Sequence, residues 1–349
     1  MPLSWIAFER RLDNLWQIVA ASAIVFIGGF PMAVTAQSWQ ELSSHLFTNA
    51  AIDWQVSTSH LPESFWIYRR NLPRVFPATV ISNAIVLGSL QDRGFPRPST
   101  KDFYIFKREP PDWPTGIPSI FGMLPRDAYL YYVMPDCRPI SKTGIPNDDV
   151  VAGLAVKYAP KLGLDPSKLT ERKFYTHWCQ TDDGATNFCG RGIFFPRHLD
   201  GIPFFSANDE GDGAEGYSME FGEHGRIQAF SVRWSEIEHY RRELVASPVE
   251  IIGCLRAHKS IVLPNFVEGD FYRLRKLATA KKFTITKITL YYEEGLFGEM
   301  ATNDVPSEFA TPFAELEARA ELYDTNIAVR ILSPILSEDI KRVLKNKSR

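Results

Sequence analysis

The segment from Thr176 to Gly201, THWCQTDDGATNFCGRGIFFPRHLDG, concentrates the side chain types that most often carry chemistry in proteins. It contains two of the four cysteines and two of the seven histidines of the chain. Cysteine, histidine and carboxylate side chains can together bind zinc, and a histidine beside an aspartate can act as a general base. The same two cysteines could instead form a disulfide that joins two strands across a turn.

The spacing of these cysteines favours a disulfide over a metal site. Cys179 and Cys189 flank a turn-rich loop of nine residues, which differs from the short spacing of a zinc knuckle. A bridge across so short a loop would contribute roughly 2.5–3 kcal/mol to stability by reducing the entropy of the unfolded chain. The remaining cysteines, Cys137 and Cys254, would form a second bridge, although four cysteines allow three pairings.

The PRHLDG motif supplies the candidate catalytic residues Arg197, His198 and Asp200. A histidine held beside an aspartate could serve an extracytoplasmic hydrolase as a general base, and the alternative is a salt-bridged turn between strands. The sequence contains no GxSxG, HExxH, P-loop or GxGxxG motif. We therefore predict a protein without a cofactor, and the absence of these motifs favours a protein that is not an enzyme.

An acidic run, NDEGDGAEG, resembles the first half of an EF-hand calcium loop. Asn208, Glu210 and Asp212 stand at ligand positions, but Met219 stands where the closing glutamate belongs. Because the loop is incomplete, an acidic, solvated turn is the preferred interpretation and no bound metal is predicted.

The N-terminal segment predicts export from the cytoplasm. Two arginines precede the uncharged run Leu15–Phe30, and small residues follow at Val34–Ala36. This pattern is typical of a secretory signal peptide over residues 1–36. An uncleaved membrane anchor is the alternative, because the apolar run is just long enough to cross a bilayer. Both interpretations place residues 37–349 outside the cytoplasm, in the periplasm or as a secreted protein.

The rest of the chain is predicted to contain a mixed region, 37–140, and a better-patterned region, 141–349. The mixed region contains a predicted helix from Pro77 to Gln91 and has no internal symmetry. The second region begins with a helix capped at Asn147 or Asp148.

Several strands follow that helix in the prediction. The clearest hairpin pairs YSMEF with RIQAFSVRW across the turn Gly222–Gly225. A helical pattern interrupted near Pro248 is predicted from Glu236 to His258, and a short helix is predicted in PFAELEARAELY, Pro312–Tyr323. The runs KKFTITKITLYYEE and NIAVRILSPIL are predicted to form a long strand and a final strand.

A helix followed by antiparallel strands, occurring twice, predicts an α+β fold in which each sheet packs against helices. The two units would be 141–234 and 235–349. The stretch DGIPFF followed by GYSMEFGEHGRIQAFSVRW resembles PepSY-like extracytoplasmic modules over residues 147–258. That resemblance implies an exported regulatory protein, and it supplies no functional residue.

Charge is unevenly distributed although the net charge is only −2. The segment from Arg256 to Lys287 has eight basic residues against two acidic ones, while the overall balance gives no field that would attract nucleic acid. The predicted basic lobe consists of Arg256, Lys259, Arg273, Arg275, Lys276, Lys281 and Lys282. Anionic lipid headgroups, polyanionic glycans and acidic proteins would complement it, and a solvated face with locally paired charges is the alternative.

Together these patterns predict an exported, non-enzymatic binding or regulatory protein. Its partner would be a protein or another envelope component that meets sheet edges and the basic lobe, and nucleic acid would not be a partner. Membrane contact would occur only through the N-terminal segment, if that segment stays uncleaved. An extracytoplasmic hydrolase of unrecognised family and a structural envelope protein are the alternative functions.

Overall fold

The protein folds as two compact units, one of which is inserted in the chain of the other. The computed structural model describes residues 46–59, 61–73, 75–89, 104–108, 119–125, 128–133, 144–180, 186–205, 215–257, 260–262, 277–293, 308–323 and 325–345. Within that part, unit 1 consists of residues 46–70 and 237–345, and unit 2 consists of residues 71–236. The predicted signal or anchor segment, 1–36, lies outside the described residues.

The predicted α+β fold is wrong, because the described residues are 50% strand and 24% helix and the protein is therefore β-rich. Their four α-helices are α1 Ala78–Leu87, α2 Asp148–Tyr158, α3 Pro248–Arg256 and α4 Ser337–Lys345. No helix among them is long and apolar enough to cross a bilayer. The strands are β1 Ala51–Trp54, β2 Ser64–Asn71, β3 Tyr104–Arg108, β4 Ser119–Leu124, β5 Tyr129–Val133, β6 Lys173–Gln180, β7 Thr186–Pro196, β8 His198–Leu199, β9 Ile202–Pro203, β10 Gly216–Phe221, β11 Ile227–Arg233, β12 Glu236–Leu244, β13 Ile261–Val262, β14 Lys282–Glu293, β15 Phe309–Glu321 and β16 Asn326–Pro334.

Unit 2 is built on a seven-stranded antiparallel sheet in the order β3-β4-β5-β11-β10-β7-β6. Side chains alternate along the central strands β4, β5, β10 and β11, so every second residue faces the core that α1 and α2 cover. Leu130 and Phe230 lie in this core, and the Tyr217 hydroxyl donates to the Ala155 carbonyl of α2 at 2.9 Å. The Asn147 side chain caps α2 by accepting from the Val150 amide, so Asn147 is the cap of the two that the sequence predicted.

Aromatic rings cover glycines on the opposite face of this sheet. Tyr131 covers Gly122, Tyr175 covers Gly192, and Phe194 covers Gly216. A Cβ atom at Gly216 would lie 2.3 Å from Cε2 of Phe194 and 2.7 Å from the carbonyl oxygen of Phe195. Glycine is therefore required there because ring and backbone already occupy the space. Burial raises the pKa of Tyr131 to about 12.

Unit 1 contains a second seven-stranded sheet. Its main path runs β1-β14-β15-β16-β13, and β2 extends it by pairing with both β15 and β12. The β1–β14 pair is parallel, whereas β15 is antiparallel to β14, β16 and β2. The buried residues of these strands, among them Phe283, Leu316 and Ile331, provide the apolar core of unit 1.

Two predicted helices of unit 1 are strands. Residues 236–244 form β12, so helix α3 is confined to Pro248–Arg256. The predicted helix over Pro312–Tyr323 is mostly β15. Hydrogen bonds to strands on both sides satisfy the backbone of β15, and its alanines are buried in alternation. This pairing outweighs the helix propensity of alanine, glutamate and leucine, because propensity is a weak local preference.

Other predictions are confirmed. The hairpin YSMEF–RIQAFSVRW is β10–β11, and its turn contains the short 3₁₀ segment Glu223–Gly225. The predicted long strand and final strand correspond to β14 and β16.

The capping box of α3 gives a first testable prediction. Glu250 accepts hydrogen bonds from the Ser337 hydroxyl at 2.6 Å and the Ser247 amide at 2.8 Å, and these bonds hold its pKa below the ordinary value. Since the folded-state pKa is lowered, the stabilisation is present above the unfolded-state pKa and is lost as pH falls through the folded one. Glu250→Gln is expected to destabilise unit 1 by about 1 kcal/mol at pH 7 and by less at pH 2.

Urea denaturation at both pH values measures this difference, with the exposed carboxylate variant Glu236→Gln as the control. An equal loss of stability at pH 7 and pH 2 would show that the charge of Glu250 contributes nothing.

Candidate functional site

Arg197, the first of the predicted catalytic residues, is buried in an ion pair. Its Nη1 donates to the Glu215 carboxylate at 2.5 Å and also to the Ser235 carbonyl. The guanidinium carbon lies 5.0 Å from the centre of the Trp234 ring. These contacts tie the end of β7 to the start of β10 and the end of β11, which is a structural role.

His198 pairs with a carboxylate that sequence reasoning missed. Its Nε2 lies 2.7 Å from the Glu171 carboxylate, and its Nδ1 lies 3.1 Å from the Pro196 carbonyl. Asp200 occupies the exposed turn between β8 and β9, where Asp200 and Gly201 both have positive φ angles. A histidine–carboxylate pair can move a proton, but here it lies beside a two-residue hairpin turn.

The cysteines are divided between the two units. Cys179 lies in β6, and the buried Cys189 lies in β7 where the register of this pair shifts. Cys254 is buried in α3, and Cys137 lies outside the described residues. No cysteine pair stands at disulfide distance in the part of the chain that the structure describes. Both predicted bridges stay predictions.

Most of the predicted charged sites lie outside the described residues. These are the calcium candidates Asn208, Glu210 and Asp212 and the basic residues Lys259, Arg273, Arg275 and Lys276. Among the described residues, no group of three or more histidine, cysteine, aspartate or glutamate side chains could hold a metal ion.

Arg256, Lys281 and Lys282 of the predicted basic lobe are described. Arg256 is exposed, and Lys281 lies 5.6 Å from the centre of the Tyr323 ring. Lys282 lies 2.8 Å from the Asp53 carboxylate. Its hydrogen bond lowers the pKa of Asp53 and raises that of Lys282, so this lysine is already paired.

A second feature that was not predicted from the sequence is a group of buried polar side chains in unit 2. His177 Nδ1 lies 3.3 Å from the carboxylate of Glu220, which is 5% exposed. Gln228, 2% exposed, donates to the Cys189 carbonyl, and its Oε1 accepts no hydrogen bond from the described residues. A polar residue among the core-facing positions of β11 was the only sequence signal for this group.

The most exposed functional candidate is the outer edge of unit 1. β12 pairs with β2 and, among the described strands, with no other, so its second edge has no strand partner there. Most of its side chains are exposed on both faces. We name the surrounding surface the arginine–aromatic edge, which consists of Trp66, Arg69, His239, Tyr240, Arg241, Arg242 and Phe309.

Cation–π contacts organise one side of the arginine–aromatic edge. The Arg69 guanidinium lies 5.0 Å from the centre of the Tyr240 ring and 5.7 Å from that of Phe309. The two rings lie 4.8 Å apart, and Tyr240 is 45% exposed. A guanidinium on an aromatic face keeps its hydrogen-bond donors available at its edge.

Trp66 organises the other contacts of this edge. Its ring lies 4.6 Å from that of His239 in an edge-to-face arrangement, and 5.5 Å from the Arg242 guanidinium. Arg241 forms an ion pair with Glu243 at 2.5 Å, whereas Arg242 forms none with the described residues. Charged side chains often protect sheet edges from aggregation, and that is the alternative role of these arginines.

Comparison with models of known protein families and with characterised proteins finds no match for this chain. The fold defines a β-rich protein of two units with an exposed sheet edge in unit 1. The PepSY-like resemblance stays a prediction.

Proposed function

We propose that this chain is an exported, non-enzymatic binding protein. It binds an extended, acidic segment of a partner polypeptide along β12. The observation that carries the proposal is the outer edge of β12, which has no strand partner among the described residues and is flanked by exposed aromatic and arginine side chains. Export rests on the apolar N-terminal sequence.

Strand addition suits this geometry because an edge strand presents backbone donors and acceptors at regular intervals. A partner strand would gain main-chain hydrogen bonds for affinity, while pockets for alternate side chains would give selectivity. Tyr240 and Arg242 would meet one face of the added strand, and His239 and Arg241 would meet the other.

The charges of the edge favour a partner with carboxylates. Arg242 is held against Trp66 without a carboxylate partner in the described chain, and Arg69 has only a long 3.9 Å pair with Glu238. Both guanidinium groups can donate two parallel hydrogen bonds to a carboxylate.

Peptide binding to the full chain tests the proposal. Fluorescence anisotropy would follow a labelled decapeptide of alternating threonine and glutamate, which is expected to bind saturably in the micromolar range. Arg242→Gln is expected to weaken binding about tenfold, because a charge-assisted hydrogen bond contributes about 1.5–3 kcal/mol. Lys168→Gln, a change of an exposed lysine in unit 2, is the matched control and should leave binding unchanged.

Two further peptides separate strand addition from simple charge attraction. A threonine–lysine decapeptide should not bind, and a central proline in the acidic peptide should abolish binding because proline cannot donate to the ladder. Equal binding of the proline peptide would contradict strand addition, and absence of binding by the acidic peptide would contradict the acidic partner.

A further inference from the structure

A polar groove of about 640 Å³ lies on unit 1 where β14 and β16 begin and β15 ends. Three hydroxyl groups and two amides line it, and they belong to Thr284, Thr286, Thr325, Gln55 and Asn326. Its volume falls within the range of ordinary small-molecule sites. A lining of hydroxyls and amides offers both donors and acceptors, which is the pattern that a polyhydroxylated ligand requires.

Arg319 provides the groove with a positive charge. It is exposed, lies opposite Thr284 in the β14–β15 ladder, and forms no ion pair with the described residues. A guanidinium presents a planar pair of donors that matches a carboxylate. The nearby Lys282 differs from it, because Asp53 already neutralises that lysine.

Glu321 is the acidic residue among the lining residues of the groove. It lies opposite Lys282 in the β14–β15 ladder, beside the ion pair of that lysine with Asp53. The carboxylate of Glu321 can accept hydrogen bonds from ligand hydroxyls. The groove therefore combines one available cation with a set of groups for neutral hydroxyls.

An exposed aromatic residue adjoins the groove in sequence. Tyr323 follows the lining residue Leu322 directly in sequence, and it is 94% exposed. Lys281 lies 5.6 Å from the centre of its ring. An apolar ring face beside hydroxyl and amide groups gives the nonpolar face of a sugar ring a surface on which to pack.

We infer that this groove binds a sugar acid, as a carboxylate-bearing unit of an anionic glycan. Arg319 binds the carboxylate, the threonine and amide side chains bind ring hydroxyls, and Tyr323 packs on the sugar ring. This site is separate from the arginine–aromatic edge and does not depend on the peptide-binding proposal.

Calorimetric titration of the full chain with tetragalacturonate tests this inference. Saturable binding is expected, with a loss of about tenfold or more in Arg319→Gln, because a bidentate pair is replaced by a neutral amide. Tyr323→Ala is expected to weaken binding about fivefold. Arg172→Gln, which removes an exposed arginine of unit 2 outside the groove, is the matched control and should bind normally.

Two comparison ligands decide between specific recognition and general charge attraction. Maltotetraose, which lacks carboxylates, is expected to bind at least tenfold more weakly than tetragalacturonate. Equal binding of maltotetraose, equal binding of inorganic polyphosphate, unchanged binding in Arg319→Gln or no binding of tetragalacturonate would each overturn the inference. Unchanged urea unfolding midpoints of the variants would show that the substitutions leave the fold intact.

Discussion

Gly216→Ala is expected to lower the free energy of unfolding of unit 2 by about 3 kcal/mol. The added Cβ would meet the Phe194 ring at 2.3 Å and the Phe195 carbonyl oxygen at 2.7 Å. The ring is buried, and the carbonyl belongs to the neighbouring strand β7, so neither can withdraw without disturbing the pairing of β7 with β10. Overpacking against backbone is therefore the cause of the predicted loss.

Gly153→Ala is the matched control, since Gly153 lies in α2 of the same unit and has open space around its Cβ position. Alanine should stabilise this helix by roughly 0.5–1 kcal/mol because glycine has the greater unfolded-state freedom. Urea denaturation measures both variants, and hydrogen exchange in β7 and β10 assigns the transition to unit 2. A stability loss of the same size in both variants would contradict the steric explanation.

Arg197→Ala is expected to destabilise unit 2 by about 3–5 kcal/mol. The substitution removes a guanidinium that bonds to the Glu215 carboxylate and the Ser235 carbonyl. Glu215 is 1% exposed, so its charge would lose its strongest partner while staying away from water. The cost arises mainly from that uncompensated buried carboxylate.

A double substitution tests this explanation. Arg197→Met combined with Glu215→Leu replaces the ion pair by apolar groups and should recover most of the lost stability. The surface pair of Lys287 and Glu317, 2.6 Å apart, is the comparison, and Lys287→Ala should cost less than about 1 kcal/mol. Thermal and urea unfolding measure these differences. A double variant as unstable as Arg197→Ala would show that the loss comes from packing and not from charge.

Local patterns predicted those elements whose partners are close in sequence. The β10–β11 hairpin could be recognised because alternating residues flank a glycine turn. β15 could not, because its alanine- and glutamate-rich sequence favours a helix until β14 and β16 supply hydrogen bonds on both sides. β12 could not be recognised either. Most of its side chains are exposed, so its sequence lacks the alternation that indicates one buried face.

The candidate sites were harder to predict for the same physical reason. The arginine–aromatic edge unites Trp66 of β2, Tyr240 of β12 and Phe309 of β15, which come from three distant segments. The sequence predicted His198 beside Asp200 and could not identify its partner Glu171, because that contact depends on the fold. The clustering of basic residues in the sequence likewise did not indicate that Lys282 is paired with Asp53.

The insertion of unit 2 between β2 and β12 has a consequence for synthesis of the protein. The Val245 amide donates to the Glu63 carbonyl at 3.0 Å, and Arg69 lies 3.9 Å from Glu238, so β2 and β12 run antiparallel and the whole of unit 2 forms their connection. β1 must remain without its partner strand for longer still, because its parallel partner β14 begins at residue 282. Unit 2 can therefore complete its sheet while the apolar residues of β2 still lack the strands that bury them. We expect the emerging chain to need protection from aggregation at β1 and β2 until its last strands are made.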